Sequence, residues 1–244
     1  MRRRATEAWR EGGVSDDARW KKRVLERSLE RAAGSGGNRR AHKSVGERAL
    51  RPTARIVQSA SELAQESTGA PFTVREILGR AHVSLQTFYR HFGSKDDLLL
   101  AVIEESVTKS AERFRARAFS LDDAVARVEY VVKAPFASEP HGMSVTITRE
   151  HLRLLESHAR EVAAAGDAYR RLLVDTIRSA QEDGRFLGVE ADEEADTIVT
   201  LVLARYHGMV LGVANRSLAD EAAEIWAFCQ AALSRGEPAA PLDR

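Results

Sequence analysis

Residues 72–100 read FTVREILGRAHVSLQTFYRHFGSKDDLLL, and this stretch decides the fold. Thr73-Val-Arg-Glu76 is a capping box: the threonine hydroxyl accepts from a free amide three residues on, and Glu76 reaches back. It opens a helix expected to run to about Arg80, with Ile77 and Leu78 on its buried side. Ala81-His82-Val83 leaves room only for a turn, and a further helix is expected from Ser84 to near Phe92, ahead of Gly93. Ser94-Lys-Asp-Asp97 is a second capping box, starting a helix that runs through Leu98 to about Ala118. Two short helices joined by a three- or four-residue turn make a helix-turn-helix.

The helix after the turn has two unlike sides. Leu85, Phe88 and Phe92 recur at i, i+3 and i+7, the spacing of a core face. Gln86, Thr87, Tyr89, Arg90 and His91 fill the rest, a short donor-rich set of the kind that a helix entering a major groove presents. An ordinary helical hairpin with a polar outer face fits the same spacing. Upstream, Pro52 and a Thr53 cap predict a helix over about 53–67, closed by Gly69, with Ile56, Ala60, Leu63 and Ala64 on one face.

Charge divides the chain. The whole carries +1, yet residues 1–51 carry a net +8, residues 52–99 none and residues 100–244 a net −7. A basic arm before an acidic body points to a polyanionic partner, or to a solvated tail. The helix expected within the arm, Asp16 to Ala33, offers a third role, packing on the body through Trp20, Val24, Leu25 and Leu29. With 43% hydrophobic and 30% charged residues the chain is globular in composition. Arg205 and His207 break the most apolar run, Ile198 to Val213, so no membrane span is expected. With no apolar stretch behind Met-Arg-Arg-Arg no secretory signal is expected, and the expected compartment is the cytoplasm. One cysteine, Cys229, excludes a disulfide framework and a multi-cysteine metal site.

The string from Phe72 to Leu100 resembles the DNA-binding domain of the tetracycline-repressor (TetR/AcrR) family. The match is carried by Thr73, Ile77, Ala81, Val83-Ser84, Thr87-Phe-Tyr89, His91-Phe92 and Ser94-Lys95 in order and spacing. It covers about fifty residues. His82 departs from it, standing where the family often has Gly in a left-handed backbone position. Leu85 departs too, where many relatives are polar or basic; it meets a thymine methyl or packs inward. The resemblance implies phosphate contacts by Tyr89, His91, Lys95 and Thr73, and base reading by Arg75, Gln86, Thr87 and Arg90. Ser84 and Leu85 complete the expected DNA-binding set. A core-edge role is the alternative for Tyr89.

The expected architecture is all-α. A basic, partly disordered extension (1–51) precedes a helix-turn-helix domain (52–98), a helical ligand-binding and dimerisation domain (99–235) and a disordered tail (236–244). Body helices are expected near 121–133, 144–158, 160–183, 191–215 and 219–235, broken at Pro135, Pro140, Gly142, Gly184 and Gly188. The resemblance implies that the last two pair with their copies in a homodimer, through Val202, Tyr206, Met209, Val210, Val213, Ile225 and Trp226; two buried helices in a monomer are the alternative. It also implies an effector pocket among the middle helices, with Phe119, Tyr130, Phe136, Met143, His151, Tyr169 and Tyr206 as candidates for a small, mostly apolar molecule. No nucleophile motif, phosphate loop, metal cluster or cofactor motif stands out, so no catalytic role is expected. His151 and His158 share a helix face but read as surface histidines, and Cys229 as a buried, inert thiol. The resulting expectation is a dimeric, ligand-released repressor on palindromic double-stranded DNA. The alternatives are a ligand-binding protein or enzyme with a vestigial helix-turn-helix, and a non-specific architectural DNA protein using the arm.

Overall fold

The computed structural model describes residues 20–22, 39–67 and 72–235, and all of its regular structure there is helical. The helices are α1 (Arg39–Glu66), α2 (Val74–Ala81), α3 (Leu85–His91), α4 (Lys95–Ala118) and α5 (Ala124–Lys133). After a 3-10 turn (Ala134–Phe136) come α6 (Gly142–Leu155), α7 (Ala159–Ala165), α8 (Asp167–Glu182), α9 (Ala191–Val210) and α10 (Leu218–Leu233).

The first helix corrects the sequence reading. It starts at Arg39 rather than Thr53, and Pro52 lies inside it. Proline loses one ladder hydrogen bond but continues a helix at the cost of a bend. The residues before it (Ala41, Glu47, Arg48, Ala49, Leu50) are strong helix formers that carry the turn through. Thr53 lies inside this helix rather than at its start, and is fully buried. The expected helix over 160–183 is also two helices, α7 and α8, parted at Gly166. Of the extension's expected helix only Trp20–Lys22 is described, and it is helical; the rest, like the tail after 235, lies outside the described residues.

Two apolar cores share α4. The first joins Ile56, Val57, Ala60 and Ala64 of α1 to Ile77, Phe88 and Phe92. It continues past the expected boundary at residue 98, through Leu98–Ile103, to Met143, Leu154 and Val162 of α6 and α7. The second packs the far half of α4 with α5, α8, α9 and α10 around Leu172, Leu173, Ile177, Ile198 and Ile225. The seam between the helix-turn-helix and the body is thus a continuous core rather than a linker.

At that seam α6 begins directly on the end of α1. A Cβ added at Gly142 would lie 2.1 Å from the Ser67 carbonyl oxygen, 2.5 Å from that of Gln65 and 2.8 Å from that of Ala64. These are backbone atoms, so no side-chain rotation relieves the clash. Further along, Arg153 near the end of α6 grips Asp96 in the first turn of α4 (2.5 Å). Replacing Gly142 by Ala should force the helices apart and destabilise the protein by about 1–3 kcal/mol, the usual cost of overpacking. Urea unfolding of the variant beside the parent measures it; equal midpoints would mean that the close approach is not needed.

Candidate nucleic-acid interface

Each short helix is set by its own cap. Thr73 Oγ1 accepts from the Glu76 amide (3.3 Å) while Glu76 Oε2 accepts from the Thr73 amide (2.6 Å), the expected box. These bonds hold the Glu76 carboxyl below its ordinary pKa. At the start of α3, Ser84 Oγ accepts from the Thr87 amide (3.1 Å) and bonds the Thr87 hydroxyl (2.9 Å). Ser94 caps α4 through the Asp97 amide (3.1 Å), but the reciprocal bond goes elsewhere: Asp97 accepts from Gly93 (2.8 Å). Between α2 and α3, His82 takes the left-handed conformation (φ 51°, ψ 47°), and its amide closes α2 onto Leu78. The turn keeps the shape that Gly adopts freely, with a histidine in the strained position.

The caps fix which side of α3 looks outward. Phe88 and Phe92 are buried, stacked 5.6 Å apart. Gln86 and Arg90 are exposed, as is Arg75 on α2. Tyr89 is 56% exposed, which removes the core-edge reading. Leu85 is 54% exposed, so it does not belong to the core face where the i, i+3, i+7 pattern put it; as the first residue of α3, it lies beyond the edge of that core. His91, the last residue of α3 and next to the buried Phe92, is itself buried, against its place in the expected polar set. Thr73, Ser84 and Thr87 have their hydroxyls committed to caps. Lys95 is half-buried, and its Nζ donates to the Phe72 carbonyl (2.6 Å), tying α4 to the approach to α2.

The expected effector residues fall into separate groups. Tyr130 and Tyr169 surround Phe114 in the second core (ring centroids 6.4 and 6.5 Å), and the buried Tyr169 hydroxyl is already bonded to the Val131 carbonyl (3.0 Å). Phe119 caps α4 between the Arg115 and Arg127 guanidiniums. Met143 belongs to the first core. Phe136 and Tyr206 do meet, at 6.0 Å, and Tyr206 also bonds Ser144 on α6. His151 meets His207 at 4.9 Å across the same α6–α9 seam. The Nδ1 atom of His151 is buried there without a hydrogen-bond partner. Sequence reading missed Ser144 and His207, because nothing local links α6 to a helix sixty residues away.

Of the expected dimer residues, Val202, Ile225 and Trp226 are buried in the chain's own second core. Tyr206, Met209 and Val210 are half-buried and Val213 is 76% exposed; Phe228 on α10, which is outside the expected set, is 62% exposed. Cys229 is buried, and burial pushes its thiol up to about 11. His158 stands at the start of α7, apart from His151 on α6.

Residues 56–102, which hold α2, α3 and their caps, match the family model described as bacterial regulatory proteins, tetR family. The N-terminal domain is a tetR-family domain. No curated protein matches the chain. Solved structures resemble it over most of its length. A TetR transcriptional regulator from Rhodococcus sp. RHA1 is 19% identical, with 78% of this chain and 98% of that one covered and a TM-score of 0.58. A transcriptional regulator from Saccharomonospora viridis, solved in complex with choline, is 21% identical over 72% and 94% (TM-score 0.57). FadR from Bacillus subtilis, solved in complex with stearoyl-CoA, is 15% identical over 72% and 97% (TM-score 0.52). At such identities the likeness is one of fold, so the body shares the helical architecture of TetR-family regulators. Among the described residues no helix is long and apolar enough to cross a membrane.

The His151–His207 pair gives the tetR-like body a pH signature. Burial lowers both imidazoles, His207 to about 4, with the charge of His151 adding to the effect. The folded state holds them neutral while the unfolded chain, titrating near ~6.5, takes up protons first. Their contribution to stability is therefore complete above pH ~6.5 and is lost as pH falls toward about 4. Stability measured by urea unfolding from pH 7 to pH 4 should decline more steeply for the parent than for His207→Gln. Parallel curves would show that the pair does not titrate in this window.

Proposed function

We propose that the protein is a transcription regulator that binds DNA through α3 and answers to a small molecule in its body. The observation that carries this is the outward face of α3: Gln86, Tyr89 and Arg90 exposed on a helix whose start is capped by Ser84 and whose other side is locked in the core. Arg90 suits guanine O6/N7 and Gln86 adenine N6/N7, while Tyr89 reaches phosphate and Leu85 is free of the core to meet a thymine methyl. Thr73, Ser84 and Thr87 shape the helix ends and offer amides to phosphate. His91 positions the end of α3 from inside, and Lys95 adds charge at the N-terminus of α4, where an anion is favoured. Arg75 on α2 completes the set.

Repression of a palindromic operator by a homodimer is the form of regulation that fits best. Val210 at the end of α9, exposed Val213 just beyond it and Phe228 on α10 give an apolar face for a partner copy, while Ile225 and Trp226 hold α10 from behind. The effector is assigned to the α6–α9 seam, at Phe136, His151 and Tyr206, because α6 touches both α1 and Asp96. A ligand there shifts the spacing of two DNA-binding heads only insofar as it prefers one spacing. The complexes with choline and stearoyl-CoA show that proteins of this fold take chemically unlike ligands.

Replacing Arg90 or Gln86 by Ala should cost ~1–3 kcal/mol on the cognate site and relax preference at one base pair, whereas replacing Lys95 should weaken all sequences alike. Fluorescence-anisotropy titrations on cognate and scrambled duplexes measure this; an Arg90→Ala protein that discriminates like the parent would remove α3 from base reading.

Charge placed at Phe228 or Val210 should give monomers. Light scattering that returns an unchanged dimer would put the interface elsewhere.

A further inference from the structure

The first half of α4 has an unusual pattern for a helix: seven consecutive residues, Leu98–Glu104, are buried, and Thr108 follows one turn later. A helix buried on every side must be enclosed on every side. Trp20 of the N-terminal extension meets this helix at Glu104 and Glu105. Trp20 is 2% exposed and belongs to the same apolar core as Ile56, Val57 and Leu100. Its backbone amide donates to Glu104 Oε1 (2.8 Å) and its indole Nε1 to Glu105 Oε2 (2.8 Å). Lys109 holds the Glu105 carboxylate from the next turn (3.2 Å). Both acceptors lie more than eighty positions downstream, so this is a tertiary anchor and not local structure. A depression of about 490 Å³, walled by Arg55, Gln58 and the α2 end at His82, opens beside the indole.

We infer that the crevice between α1 and α4 is a docking surface for the chain's own extension, and that Trp20 straps α4 against the DNA-facing helices. The extension then acts on DNA binding through the position of α4, in addition to any charge it brings near phosphate. The indole is the wedge, and the paired carboxylates Glu104 and Glu105 set its depth and direction. Glu104 is buried and takes a backbone donor from the strap, and burial of the indole in the core with Ile56, Val57 and Leu100 favours the docked state. α4 connects the head to both cores, so loosening it widens the range of head positions and dilutes the population competent for DNA.

The effect on α4 stands by itself, whereas the effect on DNA rests on the function proposed above, and the two are read separately. Hydrogen exchange of the full-length protein should show the amides of residues 98–108 protected in the parent and exchanging at least tenfold faster in Trp20→Ala. Glu104→Ala should give the same change, while Trp20→Phe should recover most of the protection. In a Trp9→Phe/Trp226→Phe background, Trp20 emission should be blue-shifted and shielded from acrylamide, and Glu105→Ala should red-shift it. On a duplex selected from random DNA by the parent, Trp20→Ala should bind about tenfold more weakly with the same log–log salt slope, because no phosphate contact is lost. Unchanged exchange in Trp20→Ala, or solvent-like Trp20 emission in the parent, overturns the strap. Faster exchange with unchanged DNA affinity overturns its link to DNA. A parent that selects no DNA would count against the proposed function and leave the exchange result to decide the strap.

Discussion

The start of α6 rests on the last carbonyls of α1, and it can do so only because residue 142 has no side chain. Much of the molecule follows from that contact. It brings α6 close enough for Arg153 to reach Asp96 at the head of α4, and it merges the core of the helix-turn-helix with that of the body. The hydrogen bond from Arg153 holds the Asp96 carboxyl below its ordinary pKa. A head joined to its body by a glycine contact, an ion pair and a shared helix moves with that body rather than swinging on a tether.

This arrangement gives the α6–α9 seam its place in the proposed mechanism. On one side α6 meets Tyr206 and His207 of α9; on another it meets α1 and α4. The seam carries neutral imidazoles, a tyrosine hydroxyl and the Phe136 ring, a mixed surface able to satisfy a weakly polar molecule. In the proposed mechanism a molecule filling it would act on α3 through α1, which touches both α6 and α3. Nothing in that route needs a flexible hinge; the close contacts already present suffice.

The helix-turn-helix was legible in the sequence because its signals are local. Thr73 with Glu76, Ser84 with Thr87 and the αL position at His82 all act within four residues. What failed was reading past the local range. Pro52 was a plausible helix start by its own preference, yet the helix formers before it extend α1 to Arg39. Leu85 and His91 were sorted by helical periodicity, but α3 is seven residues long, and at such lengths the flanking turns decide burial. Val202, Ile225 and Trp226 belonged to apolar stripes without any sign of whether a stripe faces inward or toward a partner. The contacts at Gly142, Arg153–Asp96, His151–His207 and Trp20–Glu104 join positions 56 to 84 residues apart, which spacing along the chain cannot reveal. The basic extension left contact with DNA, a solvated tail and packing through Trp20 all open, and nothing in the sequence said that the residues receiving Trp20 are Glu104 and Glu105 of α4.

The central claim is that α3, presented twice by a symmetric pair of such chains, reads DNA sequence. Selection of a random duplex library by the full-length protein, followed by sequencing, tests it most directly. The result expected is enrichment of two inverted half-sites with centres separated by about one helical turn (~34–36 Å) or slightly more, as two recognition helices in successive major grooves require. Retained DNA with no enriched sequence, or enrichment of a single unpaired site, would contradict it.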